Sequence, residues 1–137
     1  MCGEIADTEC LAIFVYDSDK VKTDGMHWRV FLPGADGERS FFRVDGLTDL
    51  QVAGIGEPGA AQRPDQSLKG WARLLAQAAS SKAPLLLRAD EPPPRHGVIH
   101  NWPPELDAQK KLAVALAADQ LSHVRWPPPP PPLVPVG

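Results

Sequence analysis

Twelve of the sixteen prolines in this chain follow Glu91, and six of them run unbroken from Pro127 to Pro132. Each proline fixes φ and lacks a backbone N–H, so such a run can join neither a helix nor a sheet ladder and is held as an extended polyproline II rod. The globular part is therefore expected to stop near Trp126. On this reading residues 1–126 form a single domain, with residues 1–9 flexible, and residues 127–137 form a proline-rich tail. A body of this size buries roughly two-thirds of its surface and needs no disulfide or metal staple to do so.

Charge limits the class of partner. Residues 1–24 carry six acids against Lys20 and Lys22, while the remainder is close to neutral and the whole chain has a net charge of −3. Neither duplex nucleic acid nor an anionic membrane surface is an expected partner for such a balance. No apolar stretch approaches a membrane span, and the acidic N-terminus lacks the basic and apolar segments of a secretory signal, so the sequence reads as cytoplasmic. Cys2 and Cys10 are then expected as thiols.

Hydrophobic patterning predicts an α+β fold: a mainly antiparallel sheet, beginning as a β-meander, with two amphipathic helices packed on one face. Leu11–Tyr16 is a continuous apolar run suited to a central strand covered on both sides. Met26, Trp28, Val30 and Leu32 alternate with His27, Arg29 and Phe31, the period-two pattern of a half-buried strand. The segment 33–37 then reads as a hairpin turn into a strand at Ser40–Val44. A short strand is predicted around Leu50–Ile55. Leu68, Trp71, Ala72, Leu75 and Ala79 recur at helical spacing and predict a helix over about 65–81. Strands follow at Leu85–Arg88 and Gly97–Asn101. A second helix starts near Pro103 or Pro104, with a stripe of Leu112, Ala113, Leu116, Ala117 and Leu121, and His123–Trp126 supplies a last strand.

Gly54-Ile55-Gly56-Glu57-Pro58-Gly59 spells GxGxxG. In a dinucleotide-binding unit such glycines let backbone approach a pyrophosphate while an acid further on holds the ribose, a role open to Asp90. Pro58 and Pro64 interrupt the pattern, and Asp90 follows Gly59 by 31 residues rather than about 20. Gly54, Gly56, Gly59 and Asp90 thus define an alternative reading as a small-molecule or nucleotide-binding protein, an enzyme being open to this reading although no motif announces one. His96 and His100 are spaced HxxxH, but the prolines before them and Gly97-Val98-Ile99 between them favour a strand. Positions four apart would then lie about 13 Å from each other and could not share a metal. Asp17-Ser18-Asp19 opens like a calcium loop but Val21 occupies a ligand position, so a solvated turn is expected. Neither a metal nor a cofactor is expected.

If Met26, Trp28, Val30 and Leu32 point into the core, then Arg29, Phe31, Phe41 and Arg43 share the opposite sheet face. An uncovered face bearing aromatics and cations tends to find a partner. The leading expectation from sequence is accordingly an interaction protein, self-associating or capturing a protein partner through Arg29, Phe31, Phe41 and Arg43, with the PxxP registers of the tail as a second docking element. Presentation of the acidic segment 1–24 to a basic partner is a narrower version of the same idea.

Two resemblances are short. Met1-Cys2-Gly3 resembles the opening of class II glutamine amidotransferases, which implies an N-terminal cysteine nucleophile at Cys2, although Glu4 departs from the apolar residue usual there. The segment His96–Leu121, with H-x-x-x-H-N-W-P leading into an Ala/Leu-rich helix, resembles the C-terminal part of short bacterial proteins, some carried on mobile elements. That second resemblance implies no activity and no site residue.

Overall fold

The apolar run near the N-terminus forms β1 (Cys10–Val15), all six residues of which are buried. The computed structural model that shows this describes residues 5–22, 25–60, 67–91 and 93–127. A small hairpin of β2 (Val21–Lys22) and β3 (Gly25–Met26) follows, then a 3-10 turn over Trp28–Phe31, β4 (Arg39–Arg43) and α1 (Asp49–Ala60). The second half runs β5 (Gly70–Leu75), α2 (Ala76–Ser80), β6 (Leu86–Ala89), β7 (His96–His100), α3 (Leu106–Ala118) and β8 (Ser122–Arg125). Six strands make one antiparallel sheet in the order β6-β7-β4-β1-β5-β8, so the fold is α+β with β1 deep inside the sheet.

Because neighbouring residues of a strand point to opposite faces, β1 feeds two cores. Leu11, Ile13 and Val15 join Phe41, Ala72, Leu74 and Ile99 on one face, covered by Ala113 and Leu116 of α3, by Ala76 and Ala79 of α2, and by Val30 and Phe31 of the 3-10 turn. Cys10, Ala12 and Phe14 join Trp71 on the other, under Val52 and Ala53 of α1. The helices in the two segments expected to be helical, α2 and α3, do share one face, and a third helix, α1, takes the other. The continuous apolar run in β1 requires a cover on both sides, and α1 supplies the one that was missing.

Four local expectations also change. Residues 26–32 are not a strand beyond Met26: residues 28–31 close a 3-10 turn that carries Val30 and Phe31 together into the same core. The 3-10 turn that replaces it is started by His27, whose Nδ1 accepts from Arg29 N at 3.1 Å. That role requires a neutral ring, and burial, followed by the charges of Arg29 and nearby lysines, holds the His27 imidazole below its usual range. The segment 33–37 does turn the chain, with Gly37 at φ +79°, but it leads into β4, which pairs with β1 and β7 rather than with residues 26–32.

The remaining two corrections exchange identities. The predicted helix over 65–81 is β5 followed by the short α2, and residues 65 and 66 lie outside the described part. Six residue pairs between β1 and β5 override the helical spacing of Leu68, Trp71 and Leu75. The predicted strand at Leu50–Ile55 is α1. Its start is a reciprocal cap: Gln51 N donates to Thr48 Oγ1 at 3.2 Å, and Thr48 N donates to Gln51 Oε1 at 2.9 Å. The strands at 85–88, 97–101 and 123–126 and the second helix agree with their patterns to within a few residues, although Leu121 lies past the end of α3 and is exposed. Residues 128–137 of the proline-rich segment lie outside the described residues.

Candidate functional site

On the α1 side of the sheet, five aromatic rings run in one row across the strands. His96 of β7 lies 5.2 Å from Phe42 of β4 with the rings tilted at 59°, and Phe42 lies 5.5 Å from Phe14 of β1. The row continues from Phe14 to Trp71 of β5 at 5.9 Å and from Trp71 to Trp126 at 5.8 Å, measured between ring centroids. Strand pairing places these residues side by side, at the spacing where offset and edge contacts between rings are favourable. α1 roofs the middle of the row. Past its cover, toward Phe42 and His96, the row opens into a cleft of about 690 Å³, a size that suits a small-molecule ligand.

The cleft has one wall on the sheet and one on the helix. Phe14, Phe42 and His96 form the first; Gly54, Ile55, Pro58 and Gly59 of α1 form the second. Two glycines let the helix come this close: a Cβ at Gly56 would lie 2.6 Å from the Phe14 ring, and one at Gly59 would lie 2.3 Å from the Tyr16 hydroxyl. Tyr16 fastens the same turn by donating its hydroxyl hydrogen to Gly56 O at 2.8 Å. Gly54 differs, since a Cβ there would meet nothing within 4 Å; it faces the open space. Pro58, having no N–H, cannot make the helical bond to the Gly54 carbonyl, which leaves a polar acceptor in the helix wall.

The polar lining carries two fixed cations, Arg39 and Arg95, together with His96, Ser40 and Tyr16, and among the described residues no aspartate or glutamate joins it. His96 Nδ1 lies 2.9 Å from the Asp90 carbonyl oxygen, an acceptor only, so this nitrogen carries a proton. The Asp90 carboxylate lies 3.5 Å from the same Nδ1. This leaves Nε2 as the ring atom open to a ligand. Arg39 Nη2 donates to Phe14 O at 3.2 Å, which ties its guanidinium to the sheet wall.

Of the residues in the nucleotide reading, Gly54 and Gly59 line the cleft, Gly56 packs on the Phe14 ring, and Asp90 contacts His96 without lining the cleft itself; the glycines are helical and serve close packing and cleft shape rather than a phosphate-binding loop. Arg29, Phe31, Phe41 and Arg43 do not form an uncovered face. Phe31 and Phe41 are 0% and 1% exposed within the core under α3 and the 3-10 turn, because the predicted strand carrying Phe31 outward does not exist. Arg29 is exposed beside Trp28, and Arg43 is paired with Glu9. His96 and His100 sit on one strand as expected, and no cluster of three potential metal ligands occurs among the described residues. Asp17 pairs with Lys20 across the turn 18–20. Cys10 is a buried free thiol, while Cys2 lies outside the described residues.

Sequence reasoning missed Phe14, Phe42 and Tyr16 as site residues. Their convergence depends on strand register, which single-sequence patterns do not carry. The signal that was available is Thr48-x-x-Gln51, a helix start that would have turned the glycine loop into a helix and placed Gly54 on its surface. Among the described residues no helix is long and apolar enough to cross a membrane. No protein-family model, curated protein or solved structure matches the chain.

Proposed function

We propose that this protein binds a small molecule in the cleft between α1 and the sheet. The observation that carries the reading is the cavity of about 690 Å³ walled by Phe14, Phe42 and His96 on one side and by Ile55 and Pro58 on the other. Apolar walls with a few convergent polar groups are what such ligands require, and the aromatic wall selects planar ones. Capture of a partner through Phe31 and Phe41 is the weaker reading, since both rings are already used by the chain's own core.

The cleft reading is tested by amide chemical-shift mapping with two neutral planar compounds, naphthamide and adenosine, on the wild type and on Gly54→Leu. Shifts are expected to cluster on residues 54–59 and 93–96 and to vanish in the variant, whose leucine fills the open space while favouring the helix. Wild-type shifts that persist unchanged in Gly54→Leu, or that map to α3 and the 3-10 turn, would remove the cleft as the binding site.

A further inference from the structure

Arg95 holds an unusual backbone position at the mouth of the cleft. His96 N donates to Pro93 O at 3.2 Å, closing a four-residue turn over 93–96, and Arg95, its third residue, has φ +70°. Proline second and a positive φ third is the pattern of a type II turn, whose third position calls for glycine. An L-residue with a side chain is strained there. The backbone bond that anchors the turn to β4, from Arg43 N to Arg95 O at 2.9 Å, uses no side-chain atom and would survive in glycine. Among the described residues the Arg95 guanidinium makes only a long contact of 3.4 Å to Arg43 O, and the residue is exposed. Fold stability thus gives little reason for an arginine at this point.

The cleft gives one. Among the described residues its lining holds two fixed cations, Arg95 and Arg39, and no carboxylate, the Asp90 carboxylate meeting it only through His96 Nδ1 at 3.5 Å. Resting on the reading of the cleft as a ligand site, we infer that the ligand is a planar aromatic anion. Its ring lies between the Phe42–His96 wall and Ile55 and Pro58 of α1, and its carboxylate or phosphate is held at the mouth by Arg95, in the positive field of Arg39. A guanidinium suits either group because its donors match two oxygens at once.

The test is a set of titrations of naphthoate and adenosine monophosphate beside their neutral counterparts, naphthamide and adenosine, on wild type, Arg95→Gly and Gly54→Leu. At least one anion is expected to bind the wild type about tenfold more tightly than its neutral partner, the usual scale for one charge-assisted contact. Which of the two responds identifies a carboxylate or a phosphate. Arg95→Gly is expected to erase that preference while its melting temperature holds or rises, because glycine relieves the strained φ. A preference that survives in Arg95→Gly, or that is absent from the wild type, overturns the inference. So does a lower melting temperature in Arg95→Gly, which would make the guanidinium a structural prop. If Gly54→Leu still blocks the neutral compounds in those cases, the cleft stands and only the anion falls; if it blocks nothing, both fall.

Discussion

Glu9 shows how much one side chain can be asked to do in a segment that looks dispensable from sequence. Arg43 Nε donates to its Oε1 at 2.7 Å and Arg43 Nη2 to its Oε2 at 2.9 Å, while Ala6 N donates to Oε2 at 2.8 Å. The hydrogen bond from Arg43 is the main reason its carboxyl is held below the ordinary range, against an opposing effect of burial. A carboxyl with a lowered folded pKa adds stability that is present above its unfolded value and is lost as pH falls through the folded one. His27 acts with the same sign at higher pH: its imidazole is also held low, so acidification through the imidazole range favours the unfolded chain. Stability should therefore decline in two stages on acidification, first weakly through His27 and then through Glu9. Urea denaturation at a series of pH values checks this. Glu9→Gln should lose about 1.5 kcal/mol at neutral pH, the scale of a bond to a charged group, and should show a shallower acid limb. An acid limb as steep as the wild type's would mean that Glu9 is not the group being titrated.

Elements were read well where one physical signal dominated and poorly where two competed. β1 was legible because its apolar run has no other use, and α3 because its stripe and its prolines agree. β5 was not, since Leu68, Trp71, Ala72 and Leu75 satisfy helical spacing and only the pairing with β1 decides the matter. α1 was hidden by its three glycines, which lower helix propensity but are there for different reasons. Gly56 is demanded by the Phe14 ring and Gly54 by nothing in contact with it. The two should respond oppositely to the same substitution. Gly56→Ala should destabilise by about 1–3 kcal/mol, the cost of forcing a methyl into a filled interior, whereas Gly54→Ala should stabilise by about 0.5–1 kcal/mol through helix propensity alone. Thermal denaturation of both variants settles the contrast. Equal and unfavourable effects would mean that α1 does not lie on the sheet as closely as Phe14 requires.

For the whole molecule, covering the sheet on both faces decides what surface remains for function. An α+β fold with an antiparallel sheet was readable from the alternation of strand-like and helix-like segments. Its two-sidedness was not, because that depended on recognising α1 as a helix. With one face closed by α3, α2 and the 3-10 turn and the other covered by α1 over Phe14 and Trp71, the opening lies between α1 and the Phe42–His96 end of the sheet among the described residues. The same arrangement fixes what Phe31 and Phe41 are for. Phe41 packs against Gly97 of β7 so closely that a Cβ at that glycine would lie 2.5 Å from its ring, and Phe31 is fully enclosed. Replacing either by serine removes a buried ring and leaves a hydroxyl in an apolar cavity, so each variant should lose at least about 3–5 kcal/mol. That is a large part of what a domain of this size has in total. Denaturation and sedimentation measured together distinguish this from a surface role. Core residues predict a large loss of stability accompanied by unfolding. A pair of interface residues predicts folded variants of undiminished stability whose sedimentation alone changes, and that result would return the phenylalanines to the surface and undo the assignment of α3 as their cover.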